Sequence, residues 1–410
     1  MNRSKKFTIK RARSSYSRRS NLILLVFLAL TTSAMSQKHH RTIDTFVGDS
    51  CDCYDRKHEG FLSRVDAHCH FRPFGGRVIP FDELIGYFQK SGVLFVNCYG
   101  IGQTLPTNDT CTYYGKCPET KVTPSLRNDF VNASNYLEYE WDDDDEVDSK
   151  DPFEGKKKIN LVLSMTFPDL AKPEHIVEYI QLLDTEYPGL FSWMGEVNLV
   201  KQALFPNGQE GATMADIDLW KPFMDTIRRR NIPINIHSDL GNNEHPTMYL
   251  ERMEKVLDTY NDNKIIWAHM GLSKELSKFD PDEHIDILKG MLDEHENLMI
   301  DLSWDVLWDS VFVNKVARAK YVTFINAYST RFLPGTDFVA SRKDKNYKTY
   351  KEALRKTSLI NRDLNNEAFR NIALGENYFR LLNLEEYTAP QICPNNHSHK
   401  RKHKKAAIKR

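Results

Sequence analysis

Two histidines separated by a single residue, His68 and His70, close an apolar segment and constrain the fold more than any other feature of this chain. Side chains alternate faces in a β-strand, so both imidazoles point to one side and Cys69 points to the other. Two imidazoles on one face can share a metal ion, and neutral imidazole suits zinc and its neighbours. The pair alone also fits a polar strand end, so the metal hypothesis depends on whether later segments of the chain supply further ligands.

Four more short β-branched or aromatic segments end at a side chain that can bind a metal or transfer a proton. In chain order these side chains are Glu196, His237, His269 and Asp337. Between the segments, apolar residues recur at spacings of three and four, which predicts amphipathic helices at 173–187, 215–230, 247–260 and 282–295. Strands that alternate with helices indicate a parallel sheet.

Eight strands are predicted, near residues 64–68, 93–98, 159–165, 190–196, 232–237, 264–269, 298–302 and 331–336. Eight βα units close a (β/α)8 TIM barrel, in which the carboxyl ends of all strands meet at one face. An open sheet would spread the same side chains along an edge. We therefore predict an α/β TIM barrel over residues 64–384. Residues 103–158, between the second and third strands, form a long insertion that we expect to contribute to a cap or an oligomer contact.

The five strand-end positions, taken in this order, resemble the metal-dependent amidohydrolase superfamily, and within it the amidohydrolase-2 or amidohydrolase-related branch. Residues 333–337 and 375–384 look like the last strand and the closing helix of that branch. The resemblance covers roughly residues 64–384. It implies an enzyme that activates water on a divalent metal, with Zn²⁺ favoured and Mn²⁺ as the alternative, and it does not identify the substrate.

The predicted metal ligands are His68, His70, Glu196, His237 and Asp337. A metal with an open position acidifies a bound water, and a neighbouring carboxylate can take the proton. The resemblance implies that catalytic role for Asp337. For His269, the second predicted catalytic residue, it implies either a second-metal ligand or an imidazole that orients the water. Many two-metal members have a carbamylated lysine where this chain has Glu196, so one ion is favoured and two remain compatible.

Two further side chains are predicted to bind substrate. Arg72 lies on the loop after the histidine pair and can fork onto a substrate carboxylate, although a loop ion pair is the alternative. Trp304 follows the seventh strand and is predicted to line the pocket, although packing is the commoner role of such a tryptophan.

The amino-terminal end of the chain indicates export. Residues 1–20 carry eight Lys and Arg and no acid, and the apolar run 22–30 is too short to span a bilayer. This predicts a secretory signal peptide over 1–36, with a mature start near Gln37 and no membrane span after cleavage. An organelle transit peptide and an uncleaved anchor are the alternatives. Residues 37–63 are predicted to be an extension, and 385–410 a basic disordered tail.

Seven cysteines and three glycosylation sequons fit a secreted protein. Cys111 is predicted to pair with Cys117, and either Cys51 or Cys53 with Cys393, which leaves Cys69 as the expected free thiol. The sequons predict glycans on Asn108, Asn132 and Asn396.

The 56 basic and 56 acidic residues balance, which argues against nucleic acid as the main partner. A small-molecule substrate is expected, and a homo-oligomer is left open. The favoured function is a secreted metal-dependent hydrolase acting on a C–O or C–N bond, in a lactone, ester or amide of a small carboxylated compound. The alternatives are a metal-dependent decarboxylase on the same scaffold and a non-catalytic secreted binding protein.

Overall fold

The computed structural model describes residues 41–48, 52–106, 111–142 and 159–394, and its central element is one parallel sheet. The strands are β1 Val65–His70, β2 Phe95–Tyr99, β3 Asn160–Met165, β4 Phe191–Val200, β5 Ile234–Ser238, β6 Ile265–Trp267, β7 Leu298–Asp301, β8 Phe332–Leu333 and β9 Phe338–Val339. They pair in the order β8-β7-β6-β5-β4-β3-β2-β1-β9. Strand order therefore follows chain order around the sheet.

The two ends of this sheet, β8 and β9, are consecutive in the chain and are separated by residues 334–337 alone. The Ala67 amide donates to the Pro334 carbonyl at 2.9 Å, and the Leu302 amide donates to the Leu333 carbonyl at 2.9 Å. These bonds join the 332–339 segment to β1 on one side and to the β7 end on the other. The sheet thus closes with a divided eighth strand, which confirms the predicted TIM barrel.

A helix follows each strand position. The helices are α1 Phe81–Ser91, α2 Arg127–Asp142, α3 Ile176–Glu186, α4 Lys221–Arg229, α5 Leu250–Thr259, α6 Pro281–Glu294, α7 Lys315–Ala327, α8 Tyr347–Thr357, α9 Asn366–Ile372 and α10 Glu376–Leu382. The predictions at 173–187, 247–260 and 282–295 are confirmed. The helix predicted at 215–230 is divided into Met214–Asp218 and α4, because Pro222 lacks the amide that a continuous helix needs. Leu219, one of the apolar residues of the predicted helix, is 58% exposed at this break.

The predicted insertion contains α2, the helix that belongs between β2 and β3, so the additional chain is shorter than residues 103–158 suggested. Before α2, Gln103–Thr104 and Thr123–Pro124 pair as a small antiparallel hairpin. A separate apolar cluster joins this segment to the loops that follow β1, β2 and β4, and its members are Phe74, Ile101, Leu105, Cys111, Tyr114 and Leu204. All these loops leave the carboxyl ends of their strands.

The chain before β1 and the chain after α10 pack together. The Tyr54 amide donates to the Gln391 carbonyl at 2.7 Å, the Cys393 amide donates to the Tyr54 carbonyl at 3.0 Å, and a disulfide joins Cys53 to Cys393. The prediction that the disordered tail begins at 385 is therefore wrong, because residues 385–394 pair with the amino-terminal extension. Cys51 and residues 395–410 lie outside the described residues.

A second disulfide joins Cys111 to Cys117, as predicted, and Cys69 is a free buried thiol together with Cys98. Glycosylation at Asn132 is contradicted, because this side chain is 1% exposed and a glycan needs an accessible amide. Asn108, Asn396 and the predicted signal peptide over 1–36 lie outside the described residues.

Within the described ranges, no helix combines the length and the apolar character needed to cross a membrane.

Candidate active site

The predicted ligands meet at the carboxyl ends of the strands. His68 and His70 share the inward face of β1, and His237 lies on β5. Glu196 was predicted to end its strand, but β4 continues beyond it to Val200. His269 and Asp337 follow β6 and β8 in left-handed backbone conformations, with φ of 55° and 53°. Such conformations are unfavourable for residues other than glycine and are concentrated at functional sites.

The first donor set consists of His68, His70, Asp337 and Glu196. The two Nε2 atoms of the histidines are 3.2 Å apart. Asp337 Oδ1 lies 3.6 Å from His68 Nε2 and 3.3 Å from His70 Nε2. Glu196 Oε2 lies 3.9 Å and 3.4 Å from the same two nitrogens. Two imidazole nitrogens and two carboxylate oxygens therefore surround one point.

Hydrogen bonds on the far side of each ring identify the tautomers of this set. His68 Nδ1 lies 2.5 Å from Asp301 Oδ2, and His70 Nδ1 lies 2.6 Å from the Gly100 carbonyl oxygen. Both acceptors require a proton on Nδ1, so in the neutral rings both Nε2 atoms are acceptors. Facing lone pairs repel unless a proton or a metal ion lies between them. This orientation, with a carboxylate or carbonyl behind each ring, is typical of metal-binding histidines.

The second donor set consists of Glu196, His237 and His269. Glu196 Oε1 lies 2.5 Å from His237 Nδ1 and 3.6 Å from His269 Nε2. The other ring nitrogen of His237 is 2.9 Å from Asp239 Oδ1, and His269 Nδ1 is 3.0 Å from the Ser303 hydroxyl. Glu196 therefore belongs to both sets, with one oxygen directed to each.

Lys201 completes the cluster, directly after β4. Its ammonium donates to Glu196 Oε1 at 3.1 Å and to Oε2 at 3.2 Å. Burial opposes the charge on Glu196, but Lys201 and His237 outweigh it and hold the pKa of this carboxyl well below its usual range. Glu196 is therefore ionised.

Two further groups of the cluster, His70 and Asp337, also favour their charged forms. For His70, burial opposes protonation, but hydrogen bonds with Asp337 and Glu196 outweigh burial and raise the pKa to about 9. For Asp337, burial is likewise outweighed, by His70, His269 and His68, and the pKa is lowered. Ionised carboxylates that converge on one point form a negative environment that selects a cation.

The donor atoms of the first set, their convergence and the orientation of the rings decide whether the set fits a divalent metal. The first set offers imidazole nitrogen and carboxylate oxygen, the donor types that zinc and manganese accept, and it converges from three separate strand positions. Each imidazole is oriented by an acceptor behind it. The set fits a divalent ion.

Several residues of the site were not predicted. Asp301 ends β7 and orients His68, while the Ser303 hydroxyl lies 2.9 Å from Asp301 Oδ2 and 3.1 Å from His68 Nδ1. Asp301 obeys the same strand-end rule as the predicted ligands, so the rule could have found it. Lys201 and Ser303 follow their strands by a residue or two, and the sequence pattern does not distinguish them from other loop residues.

The mouth of the cluster opens beside Asp337, whose side chain is 16% exposed, compared with 4% for Glu196. The half-exposed Trp304 ring lies 5.1 Å from the His269 ring. The Lys274 ammonium lies 5.5 Å from the Trp304 ring centre and 5.9 Å from that of Tyr113. Burial raises the pKa of the neighbouring Tyr114 well above its usual value, and the Asp337 and Glu196 charges act in the same direction. The described part of the insertion therefore approaches the mouth.

The Arg72 side chain contacts α2 and neither of the two donor sets. Its Nε donates to Asn128 Oδ1 on α2 at 3.4 Å, and burial lowers its pKa. This contact lies outside both donor sets, so the geometry does not support the predicted role of Arg72 as an anchor for a substrate carboxylate.

No protein-family model and no curated protein sequence matches this chain. Solved structures similar to it include a dihydroorotase from Campylobacter jejuni, with 13% identity, 79% of this chain and 84% of that chain covered, and a TM-score of 0.43. A zinc-bound amidohydrolase from Burkholderia multivorans has 12% identity, coverage of 78% and 99%, and a TM-score of 0.48.

A third similar structure is the 4-oxalomesaconate hydratase of Rhodopseudomonas palustris, with 11% identity, coverage of 78% and 95%, and a TM-score of 0.42. Similarity at this level identifies neither a reaction nor a substrate for this chain.

Proposed function

We propose that this protein is a metal-dependent hydrolase that adds water across a C–O or C–N bond of a small, negatively charged substrate. The observation that carries the proposal is the first donor set. Two oriented imidazoles present acceptor nitrogens 3.2 Å apart, and two ionised carboxylates face them. A divalent ion bound there supplies the Lewis acidity that acidifies water and polarises a carbonyl.

Asp337 is proposed as the general base and then the general acid. Its carboxylate is ionised and is the more exposed of the two in the first set, so a water molecule at the mouth reaches it. The carboxylate would accept the proton of the attacking water and deliver it to the leaving oxygen or nitrogen. Because Asp337 lies within 3.3 Å of His70, the same side chain also fits the role of a metal ligand.

His269 is proposed to orient the reacting groups. Ser303 contacts its Nδ1, and its Nε2 faces Glu196 Oε1 at 3.6 Å. The ring also packs beside Trp304, which defines one wall of the mouth. An imidazole held on both sides keeps a single orientation, which is the requirement for a group that positions water or a developing oxyanion.

We propose a negatively charged substrate because Lys274 places a positive charge beside the site. Its ammonium lies at the mouth over Trp304 and Tyr113, and within the described residues it forms no ion pair. A carboxylate on the substrate would supply that partner, while the two rings would contact its apolar part. Lys274 therefore takes over the role that the sequence had suggested for Arg72.

The proposal is tested by the metal content of the purified protein and by a panel of lactones, esters and amides, each offered with and without a carboxylate. We expect bound divalent metal, turnover that is lost on chelation and restored by Zn²⁺ or Mn²⁺, and a preference for carboxylated members. Lys274→Met should reduce that preference by raising KM for carboxylated members alone. A protein without bound metal, or turnover unaffected by chelation, would overturn the proposal.

Decarboxylation on the same scaffold is distinguished by release of CO₂ from the carboxylated members of the panel. That alternative relied on Arg72 to hold the carboxylate, and Arg72 contacts Asn128 instead. Hydrolysis is therefore the favoured reaction.

Export of the protein is also proposed. It is supported by the Cys53–Cys393 and Cys111–Cys117 disulfides, which form in oxidising compartments. N-terminal sequencing of the protein from the culture medium of an expressing eukaryotic cell should give a start near Gln37. Retention of an intact Met1 on membranes would favour an uncleaved anchor.

A further inference from the structure

Lys201 is a positive charge built into the ligand cluster. Its ammonium lies 3.1 Å and 3.2 Å from the two oxygens of Glu196, and the residue is 9% exposed. The backbone on its carboxyl side is held in place, because the Gln202 amide donates to Asp239 Oδ2 at 2.7 Å and the Leu204 amide donates to the Lys201 carbonyl at 2.9 Å. A buried lysine with a fixed backbone cannot turn its ammonium to solvent without breaking both of its hydrogen bonds to Glu196.

The two donor sets differ in whether their acceptor atoms already have a donor or a positive charge as a partner. In the first set, Asp301 and Gly100 hold the protons of the two Nδ1 atoms, and the two Nε2 atoms face each other as acceptors. A cation placed between two acceptor nitrogens 3.2 Å apart would relieve their repulsion. In the second set, Glu196 Oε1 already accepts from the Lys201 ammonium at 3.1 Å and lies 2.5 Å from His237 Nδ1.

His237 strengthens this contrast. Its Nδ1 lies 2.5 Å from Glu196 Oε1 and its Nε2 lies 2.9 Å from Asp239 Oδ1, so both ring nitrogens are directed at carboxylate oxygens. The ring therefore bridges the Glu196 and Asp239 carboxylates. It was predicted to be a metal ligand, and these contacts occupy both of its nitrogens.

We propose that the Lys201 ammonium takes the place of a second metal ion, so that the protein binds one divalent ion, at the first donor set. The inference rests on the proposed function, since it assumes that the first set binds metal. An ion at Glu196 Oε1 would lie beside the fixed ammonium, and like charges repel strongly in a site that excludes water. The first set keeps three donors besides Glu196, namely His68, His70 and Asp337.

The test is the metal stoichiometry of the full-length protein. The chelated protein is saturated with Co²⁺, free metal is removed by gel filtration, and bound metal is measured by mass spectrometry. We expect one equivalent in the wild type and two in Lys201→Met, where an uncharged side chain of similar length vacates the second position. Lys201→Arg keeps the charge and should bind one. Lys274→Met, which removes an ammonium that does not contact Glu196, is the matched control and should also bind one.

Electron paramagnetic resonance provides a second readout that does not require turnover. One Co²⁺ in the wild type should give an isolated high-spin signal, and the pair in Lys201→Met should lose intensity per ion because neighbouring spins couple. Two equivalents in the wild type, or one in a folded Lys201→Met, would overturn the inference. If Lys201→Met does not fold, the wild-type stoichiometry decides alone, with one equivalent in support and two against. No bound metal in the wild type would overturn the proposed function itself.

Discussion

The two ends of the barrel differ in the side chains that they contain. At the carboxyl ends of the strands, buried imidazoles and carboxylates converge, and His269 and Asp337 have left-handed backbone conformations. At the opposite end, aromatic rings close the barrel. Phe95, the first residue of β2, lies 5.3 Å from Phe46, 4.6 Å from Phe379 and 5.0 Å from Tyr387, measured between ring centres.

The end with the convergent polar groups contains the candidate catalytic residues, and the end with the aromatic rings contributes mainly to the stability of the fold. Convergent polar groups lose hydration on burial, and those that lack a partner raise the free energy of the folded state. Apolar contacts and the Cys53–Cys393 disulfide at the other end lower it relative to the unfolded chain. Substitutions at the catalytic end should therefore change activity far more than stability, and substitutions at the closed end should do the opposite.

The largest expected effect is that of replacing both His68 and His70 by Ala. Bound metal should fall below one equivalent and activity should fall to background, because the first donor set loses both of its nitrogens. A matched control replaces two exposed histidines, His58 and His175, and should keep the metal. Unchanged metal content in the first variant would show that any bound ion lies elsewhere.

Asp337→Asn should separate metal binding from proton transfer. Asn keeps the size of the side chain and one carbonyl oxygen but cannot accept a proton, so kcat should fall by roughly 10²- to 10⁴-fold while most of the metal is retained. Metal analysis and steady-state kinetics on one preparation check both parts. A kcat within a few-fold of the wild type would reassign the base, with His269 as the next candidate.

Replacing Cys53 and Cys393 by Ser should weaken the closed end. The disulfide spans 340 positions, and closing so long a loop restricts the unfolded chain, so the free energy of unfolding should fall by about 3–5 kcal/mol. The kcat/KM of the folded variant should stay near that of the wild type. The matched control is Cys111→Ser with Cys117→Ser, whose separation is only 6 positions, so its expected loss is about 2 kcal/mol. A large loss of kcat/KM in the first variant would contradict the separation of the two ends.

His284 on α6 should make stability depend on pH. It contacts Tyr321 Oη at 2.6 Å and the Met270 carbonyl at 2.9 Å, and burial lowers its pKa from 6.5 to about 4. The unfolded chain therefore binds the proton first as the pH falls. The contribution of His284 to stability is complete above pH 6.5 and is lost between pH 6.5 and pH 4.

His284→Gln keeps a donor and an acceptor but does not titrate. Between pH 7.5 and pH 5.0, the metal-free wild type should lose about 2 kcal/mol more stability than this variant, as measured by urea unfolding. Equal losses in the two proteins would show that His284 is protonated in the folded state.

The smallest effect is expected from Cys69→Ser. The Cys69 thiol lies between the two histidines in sequence but points away from them, towards the Phe338 carbonyl at 3.7 Å. Metal content should not change, and stability should change by only about 1 kcal/mol, since a serine hydroxyl can donate to the same carbonyl. Loss of metal in this variant would mean that the two faces of β1 are not independent.

The sequence predicted most of the architecture because strand and helix periodicities are local. Alternation placed His68 and His70 on one face of β1, and three- and four-residue spacing located the barrel helices. The strand-end rule selected Glu196, His237, His269 and Asp337, and the structure brings all of them within one cluster with the histidine pair. The rule also applied to Asp301, which was overlooked.

Other predictions failed where the outcome depends on distant segments. A sequon is three residues long and carries no information about burial, so Asn132 was misjudged. Arg72 follows the histidine pair, but its direction depends on where α2 begins, because Asn128 is its partner. Residues 385–394 are polar enough to suggest disorder, yet they pair with Tyr54 and its neighbours.

By itself, the sequence determined the number of βα units, the face of β1 that carries the histidines, and the set of side chains at the strand ends. Only the tertiary structure decided how charge is distributed within that set. Lys201, Asp239 and Ser303 acquire their roles through distances to Glu196, His237 and His68 that closure of the barrel creates. Hydrophobic periodicity is a short-range property of the chain, whereas the charge state and orientation of a buried side chain depend on partners contributed by distant strands.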